Sequence, residues 1–424
     1  MMKADQPAFV TKRWITIALI NFCLVALAGV TMRYKIRFAL PFVDQQYLMY
    51  GHSNFAFTGW VAIALMTLMV RYLIRSNLQT NYTKYNRLLT AYLIVTYGMF
   101  AAFIAQGYDF WSNTFSIISI LLSYLFVYFY WKDLNKVEDI STTKSWFKAA
   151  LGLWAFSSLG AFSLAYLLAN HVMIQDLYFA ALYFFLHFQY NGWFLFVCFG
   201  AFFAYMHRQG LHEIEPESSR LFWILVITVV PSFFLSILWL NLPSYLHYTA
   251  VASGVIQLII LIYFIRILNL VRKRKDIAFG GSTALLWTLA SIAFILKIVL
   301  QFLSIIPFLS HLAFGFRPVI IGYLHLSFVG IISFFVLGYI NEFIHRFRGR
   351  VSGIGAVIFV VGFIIQELIL MLQGLEALNV QPVKAANLIL FFCAILMAAG
   401  LIWIVTGIIR ANDTEYQIAA DTKK

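Results

Sequence analysis

The chain has 424 residues, of which 62% are apolar and only 11% charged, and its mean hydropathy is +0.85. Soluble globular chains carry about a quarter charged residues, so this chain belongs mostly in hydrocarbon, and spans are counted in place of soluble domains. Its net charge of +13 sits in short connections between apolar runs, which a membrane surface explains and which gives no footing for nucleic-acid binding.

Roughly twelve runs can each cross about 30 Å of hydrocarbon as helix. They fall near 14–32, 46–70, 88–106, 112–131, 147–168, 175–205, 221–240, 246–265, 283–306, 318–340, 352–372 and 385–409. The expected fold is one all-α transmembrane domain over residues 1–424, a polytopic helical bundle in contact with lipid. The first run lacks a small-residue cleavage site and is expected to stay as the first span.

Span 1 is followed by Arg33, Lys35 and Arg37. Span 2 opens with GHSNFAFTGW, Gly51 to Trp60, which puts His52 where apolar residues cost less. Span 6 carries YFFLHFQYNGWF, Tyr183 to Phe194, with His187, Tyr190, Asn191 and Trp193 together. The stretch HEIEPESS, His212 to Ser219, reads as a loop. Span 7 has no histidine. The run RKRK at Arg272–Lys275 reads as an anchor at the membrane face. Lys297 lies inside span 9 with Gln301 one turn on, and Glu367 lies beside Gln366 inside span 11. Intramembrane charges are functional candidates, and a structural pairing of Lys297 with Glu367 is an equally open reading. Span 10 reads GYLHLSFVG around His325, below Arg317. Cys23, Cys198 and Cys393 lie in apolar runs without CxxC spacing and read as small buried hydrophobes.

Basic residues set the expected orientation. With the N-terminus inside, Lys3, Lys12, Arg13, Arg71, Arg75, Arg208, Arg346, Arg348, Arg350, Lys423 and Lys424 fall on the inner side with most others. Only Arg33, Lys35, Arg37, Arg317 and Lys384 fall outside. Positive charge concentrates on cytoplasmic loops, so both termini are expected in the cytoplasm of a bacterial inner membrane.

Three of the nine histidines lie deep. At 1.5 Å per residue, His52 and His325 each sit roughly 12 Å from the outer ends of their spans, and His187 about 16 Å from its own. The shallower His207, His212 and His345 belong to the inner face, and His171, His247 and His311 to the outer. A histidine in the bilayer core is costly without a partner. Two imidazoles at one level can clamp a haem iron from opposite faces, with a backbone carbonyl, Ser53 or Asn54 as acceptor for the second ring nitrogen of His52. Arg317, with Arg37 a weaker choice, could meet a haem propionate. His187 with Tyr190 could bind copper or oxygen, or shuttle a proton. The bland alternative for all three histidines is hydrogen bonding between helices.

Twelve spans with deep histidines on spans 2, 6 and 10 resemble subunit I of the haem–copper oxidase and nitric oxide reductase superfamily. The stretches GHSNFAFTGW and LHFQYNGWF resemble, more closely still, bacterial membrane proteins described as oxidase-subunit-I-like, and more distantly the NnrS haem–copper membrane family. The resemblance implies a low-spin b-type haem held by His52 and His325, and copper at His187 with Tyr190 nearby. It also implies electron transfer in a respiratory chain, with quinol or another donor and oxygen or nitric oxide as partners. Tyr323 stands where the family has the histidine of its high-spin haem and could ligate haem iron or serve helix packing, and span 7 lacks the family's copper histidines. The catalytic pair of metals is therefore expected to be lost or rebuilt. A proton-coupled secondary transporter is the rival reading, and a non-catalytic haem sensor or assembly protein a third.

Overall fold

The computed structural model describes residues 9–139, 141–344, 351–375 and 385–410, apart from the side chains of residues 311–313, 343–344, 351–352 and 410. His345, Lys3, Arg346, Arg348, Arg350, Lys384, Lys423, Lys424 and the His311 side chain lie outside the described residues, and with them part of the orientation argument.

Within the described residues the chain is helical throughout, with no strand. The helices are α1 (Thr11–Arg37), α2 (Gln45–Arg75), α3 (Thr83–Gln106), α4 (Phe110–Leu134), α5 (Thr143–Ala169) and α6 (Gln175–His187, continuing through Phe188–Phe194 and Leu195–Arg208). They continue as α7 (Glu215–Val229), α8 (Ser244–Lys273), α9 (Gly281–Leu303), α10 (Arg317–His325, continuing through Leu326–Ser333 and Phe334–Ile344), α11 (Val351–Leu375) and α12 (Ala386–Arg410). Polar residues start and stop them. The Asp44 carboxylate accepts from the backbone N–H groups of Gln46 and Tyr47 at 2.8 and 2.9 Å to begin α2. Asp109 and Ser112 form a capping box at the head of α4.

Ten helices among the described residues are long and apolar enough to cross a membrane, and an eleventh is added if α7 and the 3₁₀ turn Pro231–Ile237, bent by 52°, form one span. The protein is thus a polytopic, all-α membrane bundle. The expected twelve differ from this count at two places. In α7, Pro231 removes a backbone donor and breaks the helix. In α6, His187, Gln189, Tyr190 and Asn191 interrupt an otherwise apolar sequence. A short helix, Pro307–Gly315, also precedes α10. The stretch expected as a loop at His212–Ser219 is a 3₁₀ turn leading into α7, because Pro216 fits a first helical turn and Glu215 and Glu217 suit its positive end.

The core is built on α2, α6 and α10. Each contains one stretch of wider π-helical turns: Ala56–Ala62, Phe188–Phe194 and Leu326–Ser333. Such turns are uncommon and recur at functional sites. Ring contacts knit the three stretches together. Phe57 meets Phe328 at 4.4 Å, Tyr190 meets Phe328 at 5.8 Å, and Phe194 lies 5.7 Å from Phe57. The Trp60 indole donates to Ser333 Oγ at 2.9 Å, tying α2 to α10. Asn21 of α1 donates to the Gly59 carbonyl at 2.7 Å and accepts from the Tyr97 hydroxyl at 2.6 Å.

Packing changes sharply at this level. Within Gln175–His187 only His187 is buried, whereas Phe188–Phe194 is buried throughout. Nothing in Arg317–His325 is buried, whereas Leu326–Ser333 is buried except for Phe328. In α2 the stretch Ile63–Val70 is buried without a break. One half of the central trio is therefore solid, and the half that begins α2, α6 and α10 is loosely packed. This half holds His52, His187 and His325 and is the histidine half of the bundle.

At the opposite end, Tyr72 donates to Asp139 at 2.6 Å and the Ser141 backbone N–H donates at 2.8 Å. Burial works against the ionised carboxylate, but these hydrogen bonds outweigh it and hold Asp139 below its usual range.

Candidate functional site

His52 lies on α2 four residues before its π stretch, and His325 is the last residue before the π stretch of α10. The two helices are joined below by the Trp60–Ser333 hydrogen bond and the Phe57–Phe328 contact. Above, Arg317 Nη2 reaches Met49 Sδ at 3.3 Å. Between these ties, His52 and His325 lie within electrostatic range of each other, and Arg33 of α1 is within range of both. Both imidazoles are half-buried and belong to the half of the trio in which few residues are fully buried.

The ring of His52 is oriented from α1. Its Nδ1 lies 3.0 Å from the Val25 carbonyl and donates to it, which leaves Nε2 as the basic nitrogen. A Cβ on Gly29 would stand 3.4 Å from His52 Cε1, so glycine lets α1 approach the imidazole. Ser53 and Asn54, expected as acceptors, are engaged elsewhere. Ser53 donates to the Met49 carbonyl at 2.7 Å and Asn54 to the Tyr50 carbonyl at 2.9 Å, each one turn back on the same helix. The helix satisfies them locally, and the acceptor is of the other expected kind, a backbone carbonyl, supplied by a different helix that sequence spacing does not reveal. His325 Nδ1 is buried outside strict hydrogen-bonding geometry, and the ring interacts with the backbone of Ile321 one turn back on its own helix.

His187 is a different case. Its Nε2 donates to the Val229 carbonyl at 2.8 Å, and its Nδ1 accepts from Asn191 Nδ2 at 3.0 Å. Both ring nitrogens are thus engaged. Val229 is the residue before the break in α7, and the N–H of Phe233 turns to the Val230 carbonyl at 3.1 Å. Ser232 Oγ also donates to the Val229 carbonyl, at 3.2 Å. His187 fastens a broken helix, a role the sequence signals only through Pro231. Among the described residues no three His, Cys, Asp or Glu side chains gather as metal ligands. Cys23, Cys198 and Cys393 are buried free thiols.

Tyr190 and Tyr323 face each other across α6 and α10, with ring centroids 6.3 Å apart. The Tyr190 ring also lies 5.8 Å from that of Phe328. Arg317 sits at the mouth of the histidine half, in electrostatic range of Arg33. Arg37 is at the last turn of α1.

The two intramembrane charges do not pair with each other. Lys297, only 3% exposed, donates to Gln301 Oε1 at 3.1 Å on its own helix and lies in range of His187. Glu367 lies on the other side, against Gly322 of α10, where a Cβ would stand 3.5 Å from Glu367 Oε2. Arg33 is in electrostatic range of Glu367. Neither Arg33 nor Glu367 was tied to the histidine pair from sequence, because nothing in their spacing relates α1 and α11 to α2 and α10.

No family model and no curated protein sequence matches the chain.

Proposed function

We propose that the protein is a haem-binding membrane redox protein in which His52 and His325 supply the two axial imidazoles of one haem, b-type by the resemblance noted above. The observation that carries this reading is the pair itself. Two half-buried imidazoles, on helices tied to each other both below and above them, lie within electrostatic range of each other and of Arg33. The donor set suits the group. The Val25 carbonyl fixes the His52 tautomer and leaves Nε2 free to ligate, and Arg33 and Arg317 supply positive charge for propionates. A haem with both axial positions filled supplies one-electron transfer. Oxygen or nitric oxide chemistry needs an open metal position, and a copper at His187 fits poorly because both ring nitrogens bond to protein. The reading therefore favours electron transfer from a quinol-class donor over gas reduction. It carries the oxidase-like architecture of twelve crossings, with α6 and the bent α7 counted as spans, both termini cytoplasmic, in a bacterial inner membrane.

The test is the optical spectrum of the purified protein. A sharp reduced α band is expected, lost in His52→Ala and in His325→Ala. A wild-type protein with no haem absorbance in either oxidation state ends the reading. A second reading, a proton-coupled secondary transporter, draws on the broken α7 and the buried Lys297. Substrate-driven proton flux in vesicles carrying haem-free protein would favour it. Full haem loading without quinol turnover would favour a sensor or assembly role.

A further inference from the structure

Glu367 stands eight residues before the end of α11 at Leu375, in one of the most apolar helices of the bundle, with a hydropathy of 2.5. A carboxyl group there is costly unless it is paired, hydrogen-bonded or neutralised, and such groups are functional candidates. The Glu367 carboxyl interacts with the Gln366 side chain on the same helix, its Oε1 is buried outside hydrogen-bonding geometry, and no ion pair reaches it among the described residues. Its Oε2 lies against Gly322, one turn before His325, where the missing Cβ leaves room for it. The groups around it come from every neighbouring helix. Arg33 of α1 is in electrostatic range of Glu367, His52, His325, Arg317 and Cys393 of α12 at once. On α9, Lys297 is committed to Gln301. Glu367 thus shares a cationic centre, Arg33, with both histidines while touching neither.

We propose that Glu367 is a proton-exchanging group coupled to electron arrival at the His52–His325 pair, an inference that rests on the haem reading above. In the oxidised state, Arg33 and the positive charge between the histidines favour the Glu367 carboxylate. One electron from a one-electron reductant removes one positive charge from that neighbourhood. The carboxylate then takes one proton, on Oε1, from the aqueous phase at the histidine end of the bundle, and releases it on reoxidation. Electron and proton balance one for one. Gly322 gives the carboxyl its place, and Arg33 transmits the change of charge.

The experiment is a potentiometric titration of the purified haem-loaded protein between about pH 5 and pH 9. The wild-type midpoint should fall as pH rises, approaching a tenfold change in the reduction equilibrium per pH unit, about 59 mV for one electron. Glu367→Gln should load haem with an unchanged spectrum and lose most of that slope, and Glu367→Asp should keep part of it. A slope in Glu367→Gln equal to wild type overturns the inference and leaves the haem reading standing. Absence of haem from the wild type overturns both. Should Glu367→Gln fail to fold, the redox-difference infrared spectrum of the wild type decides. A protonated-carboxyl C=O stretch must appear on reduction, and its absence refutes the proposal.

Discussion

Removing the imidazole of His187 tests whether it serves the break in α7 or a metal. His187 is fully buried, so His187→Ala leaves a ring-sized void, worth about 2–4 kcal/mol by analogy with other large-to-small core changes. Asn191 Nδ2 loses its acceptor, which adds roughly 1 kcal/mol. The Val229 carbonyl, however, keeps Ser232 Oγ at 3.2 Å. In Ser232→Ala the situation reverses, since His187 remains as donor, and the loss should be only about 1 kcal/mol. The double variant strips both side-chain donors from one carbonyl in the membrane interior. It should therefore cost about 1–2 kcal/mol more than the two single losses together. Denaturant unfolding in detergent, with haem content measured in parallel, gives the four corners of the cycle. Single losses that add to within about 0.5 kcal/mol would refute the shared-carbonyl argument. Loss of bound metal in His187→Ala at unchanged folding would refute the assignment of His187 as a structural residue.

Other substitutions bear on separate parts of the account. Gly29→Leu drives a branched side chain toward His52 Cε1, which a Cβ alone would approach to 3.4 Å. Haem stoichiometry should collapse in it while Gly29→Ala stays close to wild type, and equal loading in the two would show that α1 does not orient the ring. Replacing Lys297 and Gln301 together by Met and Leu removes a buried amine and its acceptor, and should leave stability unchanged or raise it by ~1–2 kcal/mol. A large loss of stability there would mean the pair holds the bundle together. Asp139 is held below its usual range, so its contribution to stability is present above about pH 4 and is lost as pH falls through the lower folded value. Asp139→Asn should therefore lower thermal stability at neutral pH and flatten the acid limb of the stability curve. An acid limb identical to wild type would count against the Tyr72–Asp139 link as its source.

The spans were legible because hydropathy over a bilayer's width is a long, redundant signal. Nearly every expected span coincides with a helix, and His52 and His325 each stand just before the π stretch of their helix. Local contacts were less legible. Ser53 and Asn54 looked available to His52 because they are adjacent in sequence, yet their short side chains bond to the preceding turn, as such residues commonly do in helices. His187 looked like a ligand because a buried imidazole is costly, and the carbonyl that repays that cost is on another helix, displaced by a proline. The Lys297–Glu367 pairing failed for a similar reason: depth along a helix says nothing of the face on which a residue emerges. The π stretches left no pattern that hydrophobic periodicity could detect.

Those wide turns bear on how the chain tolerates length changes. Each accommodates extra backbone inside an otherwise regular rod. Deleting one residue inside Phe188–Phe194 or Leu326–Ser333 would let the rod relax to ordinary winding with little turn of its ends, whereas deleting Ser53 or Asn54, from the ordinary helix between His52 and the π stretch of α2, would swing the segment on one side by about 100° relative to the other. The ring at position 52 would then face away from position 325 while every apolar residue survived. A chain shortened so slightly would still insert and fold, yet lose whatever the two imidazoles hold between them.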